Sequence, residues 1–321
     1  MNNQTLLSIC IPTYNRGEML KQSIQNMIPV CRDHHIQIFV SDNASPDNTE
    51  EVMNALSGEY DFIHYHRHPE NIGADDNFEY VLKMANTKYR WLMSDTCYVE
   101  DIADLIPDLE STEWDGYILN DPPSRYSRSR FLPKEKTFYE ESISVMRDIG
   151  WHLTWISCMI YNERLVNSLN FERYKASSFN QTALMFETTA NRPCKICFNP
   201  QVAVTNLPMS KESGWHYHVF DVIYRQWYLL IMSLPIYYPY EVKHQCVIDS
   251  ASKPIMLALR FHLKRRMEGK WDWKDIYRNR FFIKQAEAPY LTLMIMGLCP
   301  KQILIMSFTV MKFLKNILRP H

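Results

Sequence analysis

The sequence predicts an α/β fold, a mainly parallel sheet flanked by helices, followed by a helical C-terminal region. Three observations carry that prediction. Apolar runs of strand length alternate with helical stripes over the first 95 residues, the pattern of parallel βαβ units. Four of those runs end in polar residues, so their C-terminal ends can converge on one crevice, the place where open α/β sheets hold ligands. From about Val219 the strand pattern stops and helical periodicity takes over.

The elements follow in order. Residues 6–11 (LLSICI) read as a buried strand that breaks into Pro12-Thr13-Tyr14-Asn15-Arg16. Over residues 17–28, Met19, Leu20, Ile24, Met27 and Ile28 stand at helical spacing. Residues 36–41 are the next strand, ending in Asp42-Asn43-Ala44-Ser45-Pro46-Asp47-Asn48-Thr49. Ser45 reads as a helix N-cap, with Pro46 at the first helical position and Asp47, Glu50 and Glu51 in the first turns. Residues 61–66 alternate as a strand and lead into Asn71-Ile72-Gly73; Phe78, Val81, Leu82 and Ala85 form another helical stripe. Residues 89–94 (YRWLMS) are a strand ending in Ser94-Asp95. Beyond it we expect a short helix at 101–109, a strand at 115–120 and a surface loop at 121–137. A helix at 139–149 and a buried segment or strand at 151–161 come next. Helices at 162–169 and 179–190 precede a strand at 197–205. The expected division is an α/β domain over 1–215 and a helical, basic and apolar region over 216–321.

The 321 residues are 46% apolar, enough for a sizeable core and unlike a disordered chain. Charge is uneven: residues 260–321 hold 13 Lys+Arg against 4 Asp+Glu, whereas residues 1–259 hold 22 against 32. Such asymmetry fits either an anionic surface met by the C-terminal part or a solvated basic face. Eight cysteines follow no framework spacing. Cys194 and Cys197 form a lone CxxC without the second pair a zinc site needs, and it does not follow an early βαβ strand as a redox pair would. We read the thiols as reduced and structural. No secretory signal and no run of 18 apolar residues is visible. Neither GxGxxG nor GxxxxGK[ST] occurs, which argues against a dinucleotide dehydrogenase and a P-loop enzyme.

The polar strand ends have plausible chemistry. Tyr14 can stack on a nucleobase, Thr13 and backbone amides can bond base or ribose, and Arg16 can meet phosphate; the alternative is a turn whose tyrosine packs on the sheet. Asp42 can accept from a ribose hydroxyl or a base N–H, or cap its own turn. Asp95 can bind a divalent cation that neutralises a diphosphate, or cap a turn.

Together these motifs resemble the inverting glycosyltransferases of family 2, which have the GT-A fold. The matching stretches are SICIPTYNRGEML at 8–20, VSDNASPDNTEEV at 40–52, ENIGADDNFEYVLKMA at 70–85 and YRWLMSD at 89–95. The resemblance is specific over roughly residues 6–100 and thins beyond. Within the family the chain looks most like bacterial O-antigen and capsule transferases, the abequosyltransferase-like branch included. The resemblance implies a GT-A-type nucleotide-binding, mixed, mainly parallel sheet and a nucleotide-sugar donor. It implies that Pro12, Thr13, Tyr14, Asp42 and Asn43 hold the nucleoside and that Asp95 holds Mg²⁺ or Mn²⁺ as the last aspartate of a DxD motif; Arg16, Asn71, Gly73 and Ser94 are further nucleotide-binding candidates. The sequence departs from that pattern in three places. Met93 stands at the first aspartate and Thr96 where many relatives have another acid. Asp76 stands where many have a basic residue. These departures leave open a metal-independent enzyme, a site completed by later residues, or a relative that has lost catalysis.

Inversion needs a base to deprotonate the acceptor hydroxyl. The family often places an acid or histidine at a helix start near residue 180, but here the chain reads Ser178-Phe179-Asn180-Gln181. The remaining candidates are His216 and His218, as base or, for His216, metal ligand; Asp121, after the fifth strand; and Glu187, nearly two turns along its helix.

Residues 260–284 mix nine Lys+Arg with Trp271, Trp273, Tyr277, Phe281 and Phe282, and residues 290–318 are apolar but broken at Pro300-Lys301. Such segments suit helices lying in a membrane interface; the alternative is a helical subdomain with methionine-rich packing. No nucleic-acid-binding motif accompanies the basic residues. The expectation is a glycosyltransferase that moves a sugar with inversion onto a lipid-linked or oligosaccharide acceptor in O-antigen or capsule synthesis, peripheral on the inner face of the cell membrane. The alternative is a non-catalytic sugar-nucleotide-binding relative that organises a membrane-associated assembly. A nucleotidyltransferase ranks last, because only Gly17 follows the first strand.

Overall fold

The structure is a computed structural model that describes residues 5–121, 128–208, 218–253 and 259–306. Strand–helix alternation opens the chain as expected: β1 (Leu7–Thr13), α1 (Gly17–Asp33), β2 (Gln37–Asp42), α2 (Thr49–Glu59), β3 (Ile63–Arg67), α3 (Ala74–Met84) and β4 (Tyr89–Leu92). Then come β5 (Cys97–Tyr98), α4 (Leu105–Ser111), β6 (Gly116–Asn120), β7 (Thr137–Tyr139), α5 (Ser142–Ile149) and β8 (Met159–Asn162). After α6 (Glu163–Ser168), α7 (Asn180–Thr188), β9 (Ile196–Ala203) and β10 (Thr205–Asn206), the described elements are helical.

Eight strands form one sheet in the order β3-β2-β1-β4-β8-β6-β9-β7. β3, β2, β1 and β4 pair in parallel, and β8 inserts antiparallel between β4 and β6. β9 is parallel to β6, and β7 closes that edge antiparallel. The sheet is thus mixed and mainly parallel. Every residue of β1 is buried, as expected of a central strand covered on both faces. One face packs Ile9 and Ile11 of β1, Val40 of β2 and Trp91 of β4 against Leu20, Ile24 and Met27 of α1 and Met53 and Leu56 of α2. Burying each large apolar side chain stabilises by about 1.5–3 kcal/mol. This layer therefore outweighs any single ion pair at its rim.

Three local expectations change. Ser45 does not cap α2, because the helix starts at Thr49. Asp47 Oδ1 accepts from the Thr49 amide at 3.2 Å, and Ser45 Oγ instead accepts from the Asn15 amide at 2.8 Å. The segment 151–161 divides into two 3₁₀ turns, Gly150–Thr154 and Ile156–Cys158, before β8. The surface loop expected at 121–137 contains, in its described part, a 3₁₀ turn at Arg128–Phe131 and the first residue of β7. Cys194 and Cys197 are buried free thiols; burial pushes Cys194 up to about 11 and Cys197 up to about 12.

The chain divides into two compact units: Met1–Lys211 with Leu230–Cys246, and Glu212–Leu229 with Val247–His321. Leu230–Cys246 joins the first unit through Tyr238, whose hydroxyl donates to Phe186 O at 2.7 Å and lies 2.7 Å from Ser142 Oγ. The helices after β10 are α8 (Trp227–Ser233), α9 (Tyr240–Ser252), α10 (Leu259–Met267), α11 (Trp273–Arg278), α12 (Arg280–Gln285) and α13 (Tyr290–Leu298), preceded by a π-helical turn at Phe220–Gln226. The second unit has its own aromatic centre. His262 stacks on Phe220 at 5.1 Å, and the Trp271 indole N–H donates to His262 O at 3.0 Å. Burial pushes the His262 imidazole down to about 4, so it is neutral at physiological pH. Gly297 lets α13 approach α11: a Cβ there would stand 2.8 Å from Trp273 Cα.

Candidate functional site

Strand order reverses at β1, because β2 and β3 lie on one side and β4 on the other. Ligands of open α/β sheets bind at such a switch point, outside the carboxyl ends of the strands. Thr13, Asp42 and Arg67 pair across the register of β1, β2 and β3 and so form a row along that edge. Asp95 follows β4 on the other side of Thr13, whose hydroxyl donates to Asp95 Oδ2 at 2.9 Å.

Asp95 is buried and is held by groups from β1 and its loop. Arg16 Nη1 donates to Asp95 Oδ1 at 2.8 Å, and Ser94 Oγ lies 3.4 Å from the same oxygen. Burial pushes the Asp95 carboxyl above its ordinary range, and the Arg16 guanidinium opposes that shift. Ser94 is fixed in turn, its amide donating to Ser157 Oγ at 3.0 Å. Met93 is buried in the core.

Asp42 is also buried. Its Oδ1 accepts from the Ser45 amide at 2.9 Å, and its Oδ2 accepts from the Tyr65 hydroxyl at 2.8 Å with Arg67 Nε at 3.6 Å. Burial and the adjacent Asp42 carboxylate push the Tyr65 phenol up, so it stays a donor. Arg67 also reaches Ser45 O at 3.2 Å and Glu50 at 3.4 Å.

Asn43 fastens the next loop. Its Nδ2 donates to Asn71 Oδ1 and to Gly73 O, each at 3.1 Å, while its Oδ1 accepts from the Ile72 amide at 2.8 Å. Gly73 has φ +90°, a conformation that L side chains rarely adopt. Pro12 is buried within β1, whereas Tyr14 is 46% exposed and available for stacking. The loop between β1 and α1 is pinned to the loop after β2: the Gly17 amide donates to Asp47 Oδ2 at 3.1 Å. A Cβ at Gly17 would stand 2.9 Å from the Thr49 amide, so only glycine allows these two helix starts to approach.

The nucleotide candidates Thr13, Arg16, Asp42, Asn43, Asn71, Gly73 and Ser94 are therefore joined by hydrogen bonds around one strand edge. The base candidates are not part of that set. Glu187 is engaged elsewhere, accepting from Arg173 Nη1 at 2.7 Å and from the Tyr174 hydroxyl at 2.5 Å. Asp121 follows β6, its amide donating to Asn120 Oδ1 at 2.9 Å. His218 is exposed and belongs to the second unit. His216 lies outside the described residues. Sequence reading missed Tyr65 and Arg67; their signal was the alternation of β3, which aims residues 65 and 67 to one side. Among the described residues no three His, Cys, Asp or Glu side chains form a metal cluster.

Residues 8–169 match the family model described as glycosyl transferase family 2. Over 118 residues the chain is 38% identical to abequosyltransferase RfbV of Salmonella typhimurium, and the match covers 35% of each protein. It thus spans about a third of that curated relative. Its fold is similar to that of residues 1–349 of S. aureus TarS in complex with UDP-GlcNAc (TM-score 0.58, 15% identity, covering 88% of this chain and 81% of that one). It is also similar to mannosyltransferase PcManGT from Pyrobaculum calidifontis in complex with GDP-Man and Mn²⁺ (TM-score 0.54, 13% identity, 95% and 86% covered). At these identities the likenesses establish the fold, which is GT-A.

Proposed function

The chain belongs to glycosyl transferase family 2, and on that premise we propose that it transfers a sugar from a nucleotide-sugar donor, with inversion, to a lipid-linked or oligosaccharide acceptor of surface-polysaccharide synthesis. The observation that carries this reading is the linked row Arg67, Asp42, Thr13 and Asp95 at the switch point, with Arg16 on Asp95. Asp42 is the carboxylate for the nucleoside. The exposed Tyr14 ring gives the base a stacking face, worth about 0.5–1.5 kcal/mol beyond its area. Arg16 brings positive charge to the diphosphate end. The matched relative transfers abequose, an O-antigen-type role is proposed for this chain by that likeness, and the structural relatives carry UDP-GlcNAc and GDP-Man.

A divalent cation, Mg²⁺ or Mn²⁺, fits the donor chemistry present. Such an ion is commonly held by one or two carboxylates together with substrate phosphates. Asp95 supplies the carboxylate, and Ser94 and Thr96 supply hydroxyls 3.1 Å apart beside it. When bound, the ion would neutralise the departing diphosphate. Arg16 provides a fixed cationic group at the same place.

Calorimetry with UDP, GDP, CDP and dTDP, each with and without Mn²⁺, tests the reading. One nucleotide is expected to bind more tightly than the others, and more weakly without metal. Binding that ignores metal would assign charge compensation to Arg16. Failure of all four to bind would overturn donor use.

The second unit supports membrane association. On α13, Leu291 is 71% exposed and Ile295 and Leu298 are each 60% exposed; their spacing makes one solvent-facing apolar stripe. Trp273, Tyr277 and Phe281 are exposed as well, among Lys264, Arg278 and Lys284. No helix among the described residues is long and apolar enough to cross a membrane. Exposed apolar and basic residues together suit an interfacial position on an anionic leaflet. The full chain is expected to co-sediment with phosphatidylserine vesicles, less so after Leu291→Asp with Ile295→Asp, while nucleotide binding persists. Recovery no greater with vesicles than without them would overturn the membrane reading.

A further inference from the structure

The loop between β1 and α1 fixes the backbone of Arg16 from both sides. Asn15 has φ +57°, in the left-handed region that asparagine tolerates better than most residues, and its amide is bonded to Ser45 Oγ. The Gly17 amide is bonded to Asp47 Oδ2. The Arg16 carbonyl accepts from the Leu20 amide at 2.9 Å, the first hydrogen bond of α1. Held in this way, Arg16 lays its guanidinium against Asp95. Its side chain is 17% exposed and that of Asp95 6%, so the arginine is the more solvent-facing member of the pair.

The groups around Asp95 occupy most of its hydrogen-bonding capacity and cancel its charge. An ionised carboxylate offers about four lone-pair sites. Arg16 and Ser94 donate to Oδ1 at 2.8 and 3.4 Å, and Thr13 donates to Oδ2 at 2.9 Å. Met93, two residues earlier, is buried in the core and brings no second carboxylate. Asp42, the other buried acid of the row, has its own arginine, Arg67 at 3.6 Å. A divalent cation at Asp95 therefore meets a neutral ion pair in which Arg16 already holds Oδ1. A nucleoside diphosphate changes that balance, because it brings negative charge and oxygens that match the guanidinium fork.

We propose that Arg16 is an internal counter-ion that competes with a divalent cation for Asp95, so that the carboxylate takes up the cation well only when a nucleoside diphosphate is present; this rests on the donor and cation reading proposed above. Arg16 is a positioning residue in this role. Its guanidinium serves phosphate oxygens as well as it serves a carboxylate. The diphosphate therefore draws on the charge that Arg16 otherwise spends on Asp95, and Asp95 becomes the more negative for it. The coupling is reciprocal: whatever factor the nucleotide adds to cation affinity, the cation adds to nucleotide affinity. Arg16 thus disfavours a cation held without donor and favours the two together.

The test measures Mn²⁺ binding to the full chain by electron paramagnetic resonance, in slightly alkaline buffer, with and without whichever of UDP, GDP, CDP and dTDP binds. Affinities are compared at equal free Mn²⁺. Arg16→Gln removes the charge and keeps an N–H donor for Asp95. A unit charge beside a carboxylate changes its proton affinity by about 10–10³-fold, so Arg16→Gln is expected to tighten Mn²⁺ binding without nucleotide by about tenfold or more. The factor by which nucleotide tightens Mn²⁺ binding is expected to shrink in the same variant. Arg16→Lys keeps the charge and is expected to bind Mn²⁺ as the wild type does. Adding Asp95→Asn to Arg16→Gln is expected to abolish the gain, which assigns the ion to Asp95. Unchanged or weaker Mn²⁺ affinity in an Arg16→Gln protein that unfolds cooperatively on heating would overturn the counter-ion role while the donor reading stands. So would a wild-type Mn²⁺ affinity that the bound nucleotide leaves unchanged, a result that needs no variant to fold. Binding of none of the four nucleotides would overturn the donor reading itself and the counter-ion role with it.

Discussion

Asp95→Asn is expected to lower sugar transfer by about 10²–10³-fold, the usual loss when one electrostatic partner of the developing charge is removed. Asn has nearly the volume of Asp and keeps one oxygen that can accept from Thr13, now 2.9 Å away. What it removes is the negative charge facing Arg16 at 2.8 Å. That charge orients the guanidinium and, when a divalent cation is bound, serves as its carboxylate ligand. The pair is largely buried, so stability falls too, by about 1–3 kcal/mol for the weakened charged hydrogen bond. Steady-state rates and thermal unfolding on the same preparations separate the two effects. A rate loss much larger than the unfolded fraction accounts for is the expected result. Wild-type rates in a folded Asp95→Asn protein would remove Asp95 from the chemistry.

The residues around Asp95 were legible because each motif is local. A strand run, a Pro-Thr-Tyr-Asn-Arg break and a helical stripe are written in consecutive residues, and strand–helix alternation implies the parallel pairing that gathers their ends. Ser45 was misread for an equally local reason: two short polar residues, Ser45 and Asp47, compete for one helix start, and Asp47 wins by serving the amides of both Gly17 and Thr49. Tyr65 and Arg67 were not legible as site residues. Their meaning depends on the register that sets Arg67 beside Asp42, and register is a property of two strands.

The same dependence on register governs the second large effect. Asp42→Asn is expected to weaken nucleotide binding by about 30–100-fold, corresponding to about 2–3 kcal/mol. Tyr65→Phe is expected to weaken it by less than about tenfold. A fully buried carboxylate is tolerated only when it is paired and hydrogen-bonded. Asp42 meets that condition with the Ser45 amide, the Tyr65 hydroxyl and the Arg67 guanidinium. Asn presents an NH₂ group where one of these donors now points, so a donor meets a donor and the nucleoside loses its charged acceptor. Phe removes only one neutral donor and leaves the carboxylate with the Ser45 amide and Arg67. The double variant is expected to fall short of the sum, because both changes act on one oxygen, Asp42 Oδ2. Calorimetric Kd values for the nucleotide that binds, across the four proteins of the cycle, measure this directly. If Tyr65→Phe cost more affinity than Asp42→Asn, the tyrosine would be the group that meets the nucleoside, and Asp42 would be confined to holding it in place.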